Sequence, residues 1–215
     1  MTEIQLIPVL EIPHPVEAWK TSGQRPLGNW CKHPQEWEIY LTKVNVNSGY
    51  GELHGYPLGS GLYPVSQFSS RDISRVIELH VDDLVLEDCC ALFGGFVLVG
   101  DGQPIFVPQC CSTLADISSW ESIARSEVFS NYFCLEGHPT PQATSNGESI
   151  QICCIDEGEA FFGPAPKGYS LSRSSLAEAL TQTHQSLKEF SNKLEGWGSA
   201  NGYAEVSKIL IYDLS

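Results

Sequence analysis

The residues best suited to bind a metal ion or attack a substrate are eight cysteines and six histidines, in a chain of 215 residues. Zinc sites usually take ligands separated by two to four residues, because both ligands must reach one tetrahedral ion. Cys134 and His138 have such a spacing, and Cys110 and Cys111 are further ligands that would complete the set. Adjacent cysteines rarely share one tetrahedron without strain. We therefore predict a structural role for these residues, no metal site and no cofactor.

Nucleophilic catalysis needs a cysteine or serine held beside a base, and spacing along the chain brings no such pair together. The sequence contains none of the motifs that mark common active sites. It has neither G-x-S-x-G nor H-E-x-x-H, and neither the P-loop pattern nor G-x-G-x-x-G. We therefore predict no catalytic residue and favour a non-enzymatic protein.

Six of the cysteines stand in adjacent pairs, and this bears on where their sulfur atoms point. The pairs are Cys89-Cys90, Cys110-Cys111 and Cys153-Cys154. Neighbouring residues on a strand face opposite sides, so each pair should place one sulfur in the core. At least one thiol of the second pair and one of the third should resist a water-soluble reagent, because buried thiols react slowly. We expect no disulfide between the pairs, since free cysteines are commonly buried in proteins of reducing compartments.

The negative charge of the chain is concentrated in residues 76–166. This stretch has fourteen Asp and Glu against one basic residue, Arg125, while the stretches on either side are close to neutral. A surface of one sign repels nucleic acid and acidic membranes and attracts basic partners. We therefore predict a protein-interaction module that binds a basic protein, such as a nuclease-type toxin. The candidate partner-binding residues on this acidic face are Asp82, Asp83, Glu87, Asp88, Asp156, Glu157 and Glu159.

A second hypothesis rests on residues 48–68, where five glycines and two prolines surround three tyrosines. This composition predicts a long irregular loop or short strands, and long loops in compact domains are often functional. The rings of Tyr50, Tyr56 and Tyr63 would supply contact area and a polar tip to an apolar or sugar-like ligand. The chain would then be an enzyme or a small-ligand-binding protein, with this loop as a lid over a Cys/His site.

Strands and helices are both predicted from the periodicity of the apolar residues. FVLVG-DG-QPIFV is typical of a β-hairpin with a type I′ turn at Asp101 and Gly102. Further strands are predicted over residues 3–12 and 149–155 and at the final KILIY. Helices are predicted over residues 34–45, 71–80, 113–125 and 174–195, and for the run LVLEDCCALF before the Gly94-Gly95 pair.

The order of these elements lacks βαβ regularity. We therefore predict an α+β fold with a mostly antiparallel sheet and packed helices, in a single globular domain over 1–215. The helix at 174–195 is long and amphipathic, and Gly196 is expected to end it. The first residues lack a basic segment followed by an apolar core, and no run approaches the roughly 18 apolar residues of a membrane span. A cytoplasmic protein that does not bind membranes is the expectation.

The run CCALFGGFVLVGDGQPIFVPQCCSTLADISSW, residues 89–120, is similar to stretches in uncharacterised bacterial proteins. It also resembles, loosely, the SUKH superfamily of toxin-immunity proteins, through a glycine pair that precedes a strand. This resemblance implies an α+β fold and a cytosolic protein that binds another protein. It assigns no binding residue.

Overall fold

The computed structural model describes residues 3–126, 128–130, 135, 137–156 and 158–214. The chain divides into two compact units, each built from two separate stretches of sequence. Unit 1 consists of residues 1–8 and 93–187, and unit 2 of residues 9–92 and 188–215. Helices and antiparallel strands occur in both units, which confirms the α+β fold class. That residues 1–215 form a single domain stays a prediction.

The described residues include eight strands and six α-helices. The strands are β1 (Ile4–Glu11), β2 (Leu62–Pro64), β3 (Gly94–Gly100), β4 (Gln103–Phe106), β5 (Val128–Ser130), β6 (Gln142–Asn146), β7 (Ser149–Cys153) and β8 (Tyr169–Ser172). The helices are α1 (Val16–Thr21), α2 (Pro34–Asn47), α3 (Ser70–Val81), α4 (Ile117–Arg125), α5 (Arg173–Asn201) and α6 (Val206–Leu210). Both β1 and α5 contribute residues to each unit.

Unit 1 holds most of the strands. The part of β1 numbered 4–8 belongs to the strand order β1-β3-β4, and β5 to β8 form an antiparallel sheet in sequence order. Asp101 and Gly102 have positive φ angles of 48° and 73°, so the predicted hairpin between β3 and β4 is confirmed. Every residue of β3 is buried. This strand, together with Phe106 and Trp120, forms the centre of the core of unit 1.

Arg173, at the start of α5, joins three segments of unit 1. Its guanidinium donates to the carbonyl oxygen of Gly147 at 2.5 Å and to the hydroxyl of Ser145 at 2.8 Å. It also donates at 2.7 Å to the carbonyl oxygen of Ala124, in the last turn of α4, where a cation is favourable. These bonds fix the end of α4 against the turn that joins β6 to β7.

Unit 2 contains α1 to α3, β2, α6 and the second half of α5. Residues 9–11 of β1 pair with β2 in antiparallel register. Helix α3 begins at the N-cap Ser69, whose side chain accepts from the backbone of Asp72, while the Asp72 carboxylate accepts from the Ser69 N–H at 3.0 Å. This reciprocal pair is a capping box, and it accounts for the predicted helix at 71–80.

Three sequence-based expectations about elements are wrong. Gly196 does not end α5, which continues to Asn201. KILIY lies largely in α6 rather than in a strand, because Glu195 accepts hydrogen bonds from the N–H and hydroxyl of Ser207 at the start of that helix. LVLEDCCALF forms only a short 3₁₀ turn at Leu86–Asp88, and the glycine pair after it opens β3.

Candidate functional site

Four of the predicted partner-binding acids lie together in unit 2. Helix α3 ends at Val81, its C-cap Asp82 has a φ of +48°, and the chain then leads into the 3₁₀ turn Leu86–Asp88. Leu86 is buried and anchors this turn, while the neighbouring Leu84 and Val85 are each 58% exposed. The four acids of this segment are exposed: Asp82, Asp83, Glu87 and Asp88. No ion pair joins any of them to a described Lys or Arg.

The other predicted acids lie in unit 1, so the acidic stretch is shared between the two units. Asp156 and Glu159 are exposed, and Glu157 lies outside the described residues. Backbone hydrogen bonds from Glu159 and Gly158 to the Asp156 carboxylate, both 2.8 Å long, lower the pKa of Asp156. The Glu159 carboxylate lies 2.9 Å from Nδ1 of His138. Glu159 therefore faces a histidine of its own unit.

Two of the three tyrosines in residues 48–68 belong to the core of unit 2. Tyr50 is buried and donates from its hydroxyl to the carbonyl oxygen of Pro13 at 2.8 Å. Tyr63 is buried and exchanges hydrogen bonds with the side chain of Asn45. Tyr56 is half-buried. Tyr50 and Tyr63 therefore pack in the core. Their role in a ligand lid stays a prediction.

The loop that carries these tyrosines is fastened to α2 through Glu38. The carboxylate of Glu38 accepts from the N–H of Gly55 at 3.1 Å and from the N–H of Gly59 at 2.9 Å. His54 lies 3.4 Å from the same carboxylate. A single helical side chain thus satisfies two loop N–H groups, which fixes an otherwise irregular stretch.

Cys110, Cys111 and His138 form a group of possible metal ligands in unit 1. One ligand atom from each residue lies within 4.8 Å of the others, and all three residues are exposed. The two sulfur atoms are 3.4 Å apart. Among the residues that the structure describes, this is the one group of three or more Cys, His, Asp or Glu with this proximity.

Backbone geometry explains how two adjacent cysteines reach the same side. Cys110 and His138 form an isolated antiparallel bridge, in which the His138 N–H donates to the Cys110 carbonyl oxygen at 3.0 Å. Cys111 has a φ of +68°, which lies in the left-handed region that non-glycine residues seldom adopt. An extended Cys111 would point away from Cys110. The left-handed turn instead brings the two thiols together.

The expectation that each cysteine pair buries one sulfur is therefore wrong for Cys110-Cys111, where both residues are exposed. Strand alternation does not apply here, because the chain turns at this pair. One buried member per pair is confirmed for the other two pairs, since Cys89 and Cys154 are buried. Cys134, the partner of His138 in the sequence spacing, lies outside the described residues.

We expect Cys110 and Cys111 to react with a water-soluble maleimide at least about tenfold faster than Cys154 in the native protein prepared free of metal. Burial, with a smaller contribution from Cys153, raises the pKa of Cys154 to about 12, so its reactive thiolate is scarce. Peptide mass spectrometry after timed labelling measures each rate, and denatured protein supplies the fully reactive reference. Equal native rates for the three thiols would contradict the observed burial.

In comparisons with known proteins, no family profile, no curated protein and no solved structure matches the chain. The resemblance to the SUKH superfamily stays a prediction. Among the described residues no helix is long and apolar enough to cross a bilayer.

Proposed function

We propose that this chain is a non-enzymatic, immunity-like protein of the cytoplasm that binds a basic protein partner through residues 82–88. The observation that carries the proposal is the composition of this segment. It presents four exposed carboxylates around an exposed apolar pair, Leu84 and Val85. No described lysine or arginine forms an ion pair with these carboxylates.

Such a segment suits a partner that combines positive charge with an apolar contact. Opposite potentials accelerate encounter and disfavour wrong partners, while the affinity comes mainly from the residues at the centre of the contact. Leu84 and Val85 would form that centre, and the surrounding acids its polar rim. Buried Leu86 holds the segment in place, so little order needs to be gained on binding.

Neutralising the segment is expected to weaken partner binding at least about tenfold and to remove most of its salt dependence. The variant carries Asp82→Asn, Asp83→Asn, Glu87→Gln and Asp88→Asn. Immobilised full-length protein captures partners from host lysate at low and moderate salt. The captured protein is then identified, purified and titrated against each variant by calorimetry.

A matched control changes the same net charge elsewhere in unit 2. It carries Glu17→Gln, Glu36→Gln, Glu52→Gln and Glu189→Gln, all at exposed positions. Wild-type affinity in the control, with loss in the segment variant, supports the proposal. Equal losses in both variants would show that only total charge matters and would overturn the assignment of the segment.

A further inference from the structure

We propose that Cys110, Cys111 and His138 bind a zinc ion through two thiolates and one imidazole. This site belongs to unit 1, whereas the acidic segment 82–88 belongs to unit 2, so the inference does not depend on the proposed function. Sulfur and imidazole ligands select Zn²⁺ over Mg²⁺ and Ca²⁺, which take oxygen ligands. The proposal replaces the sequence-based prediction of no metal site.

The distances fit a tetrahedral ion. Zinc bonds of about 2.3 Å to sulfur place two thiolates roughly 3.8 Å apart, and imidazole nitrogen lies slightly closer to each. The sulfur atoms of Cys110 and Cys111 are 3.4 Å apart, and all three ligand atoms lie within 4.8 Å of one another. The two sulfur atoms would have to separate by only about 0.4 Å to reach this spacing.

The backbone holds this arrangement independently of any ion. The bridge between Cys110 and His138 fixes the two segments side by side, and the left-handed Cys111 turns its thiol toward Cys110. Gly137 packs so closely on Ser112 that a Cβ at position 137 would overlap the serine hydroxyl. Glycine before His138 thus allows the histidine segment to approach the cysteine pair.

Glu159 gives His138 the partner that a zinc-bound imidazole usually has. Zinc-ligating histidines donate their second ring N–H to a carboxylate or a carbonyl, which fixes the tautomer and the ring orientation. The Glu159 carboxylate accepts such a bond from Nδ1 of His138 at 2.9 Å, leaving the Nε2 lone pair for the ion. Asp156 in turn accepts from the backbone N–H of Glu159 and holds that residue in a turn.

Gln109 ties the Glu159 segment to the cysteine pair. This buried side chain directly precedes Cys110 and donates to the carbonyl oxygen of Phe162 at 3.1 Å. Its own oxygen accepts from the Phe162 N–H at 2.8 Å. The two bonds fix the stretch around Glu159 relative to the thiols, as the outer shell of a metal site requires.

Ser112 supplies an independent observation beside the site. It directly follows Cys111, is 3% exposed, and its hydroxyl has no hydrogen-bond partner among the described residues. Buried polar groups are almost always hydrogen-bonded, so such an orphan calls for an explanation. The hydroxyl lies against Gly137, the residue before His138, so an unpaired buried donor sits beside the candidate ligands.

Zinc binding here releases two protons, one from each thiol, and breaks no other bond. The apparent affinity should therefore rise with pH, because the ligand forms of the cysteines are deprotonated. The three ligands leave one tetrahedral position for water or another donor, which is the pattern of an open rather than a closed zinc site.

The test is a Zn²⁺ titration of metal-free, full-length protein against a chromogenic chelator. We expect one equivalent to bind, and Co²⁺ in its place to give a sulfur-to-cobalt charge-transfer band. Cys111→Ser and His138→Asn should each lower the affinity by about 100-fold or more, and Glu159→Gln by about 10–100-fold.

Two controls match the chemistry elsewhere in the chain. Cys31→Ser removes another exposed thiol, and His184→Asn removes a histidine that pairs with Glu121 as His138 pairs with Glu159. Both should bind zinc as the wild type does. Far-ultraviolet circular dichroism checks the folding of each variant, and Glu159→Gln, which alters no ligand, keeps the test decisive if a ligand variant unfolds. Binding of less than one equivalent, a cobalt complex without the sulfur band, or unchanged affinity in Cys111→Ser and His138→Asn would overturn the proposal.

Discussion

Replacing Gly59 with alanine is expected to lower the free energy of unfolding by about 3 kcal/mol, from backbone strain and steric overlap together. Gly59 has a φ of +75°, which costs an L-residue about 1–2 kcal/mol. A Cβ at this position would also overlap the carbonyl oxygen of Pro34, at the start of α2. Because both sides of this contact are backbone, no side-chain rotation relieves it.

Gly61→Ala is the matched control for this substitution. Gly61 has a nearly identical φ of +78°, but the nearest atom to its Cβ would be the Leu41 side chain at 3.6 Å, an ordinary contact. Gly61→Ala should lower the free energy of unfolding only by the strain of the left-handed backbone, about 1–2 kcal/mol. Guanidinium unfolding followed by tryptophan fluorescence reports on unit 2, which holds Trp19, Trp30, Trp37 and Trp197. Similar losses in the two variants would mean that the contact with Pro34 is not tight.

This result also bears on the loop hypothesis for residues 48–68. Gly59 contacts the start of α2, and its N–H is bound by Glu38 from the same helix. A large effect of Gly59→Ala together with a small effect of Gly61→Ala would show that this part of the loop is fixed by packing. A lid over a ligand would then have to move through other residues of the loop.

Acidification from pH 6.5 to about 4 is expected to lower the stability of the protein by about 3 kcal/mol through His14. The ring of His14 packs edge-on against Trp19 and Tyr50, with centroid distances of 5.0 and 5.8 Å. Its Nδ1 lies 2.8 Å from the hydroxyl of Ser48. Burial in these surroundings lowers the pKa of His14 to about 4.

The sign follows from proton uptake. Between pH 6.5 and about 4 the unfolded chain protonates His14 while the folded protein keeps it neutral, so the unfolded state binds more protons. Stability therefore rises with pH across this window. Below it, both states are protonated at His14, and this contribution stays lost.

Urea unfolding at half-unit steps of pH measures the effect, with His14→Gln and His33→Gln as a pair of variants. Glutamine at position 14 has no charge to gain, so that variant should lose most of the slope between pH 6.5 and 4.5. His33 is exposed and its replacement should leave the slope unchanged. A wild-type slope in the His14→Gln protein would show that other groups cause the pH dependence.

Local sequence was sufficient for the elements whose causes are local. The Asp101-Gly102 turn was predictable because few residues tolerate the positive φ that a type I′ turn needs. Helix α3 was predictable from its apolar spacing, and Ser69 caps its start. The charge concentration in residues 76–166 is a property of composition alone, but its division between two units is not.

Elements at the C-terminus show where tertiary contacts override local signals. KILIY has the apolar, branched composition of a strand, yet most of it is helical because Glu195, on the preceding helix, binds the first N–H groups of α6. Gly196 lowers helix propensity but does not end α5, because Leu194 before it is buried and Gly198 after it packs against Val206. A sequence pattern contains no information about such distant partners.

The candidate zinc site shows the same division most clearly. The sequence by itself identified Cys110, Cys111 and His138 as possible ligands, because cysteine and histidine are the residue types that bind zinc. The same sequence also counted against a metal site, because adjacent cysteines rarely share one tetrahedron without strain. Only the tertiary structure brings the three residues together, through the left-handed φ of Cys111 and the bridge from Cys110 to His138. A residue type fixes which bonds a side chain is able to form, whereas its direction depends on a backbone angle that distant contacts hold in place.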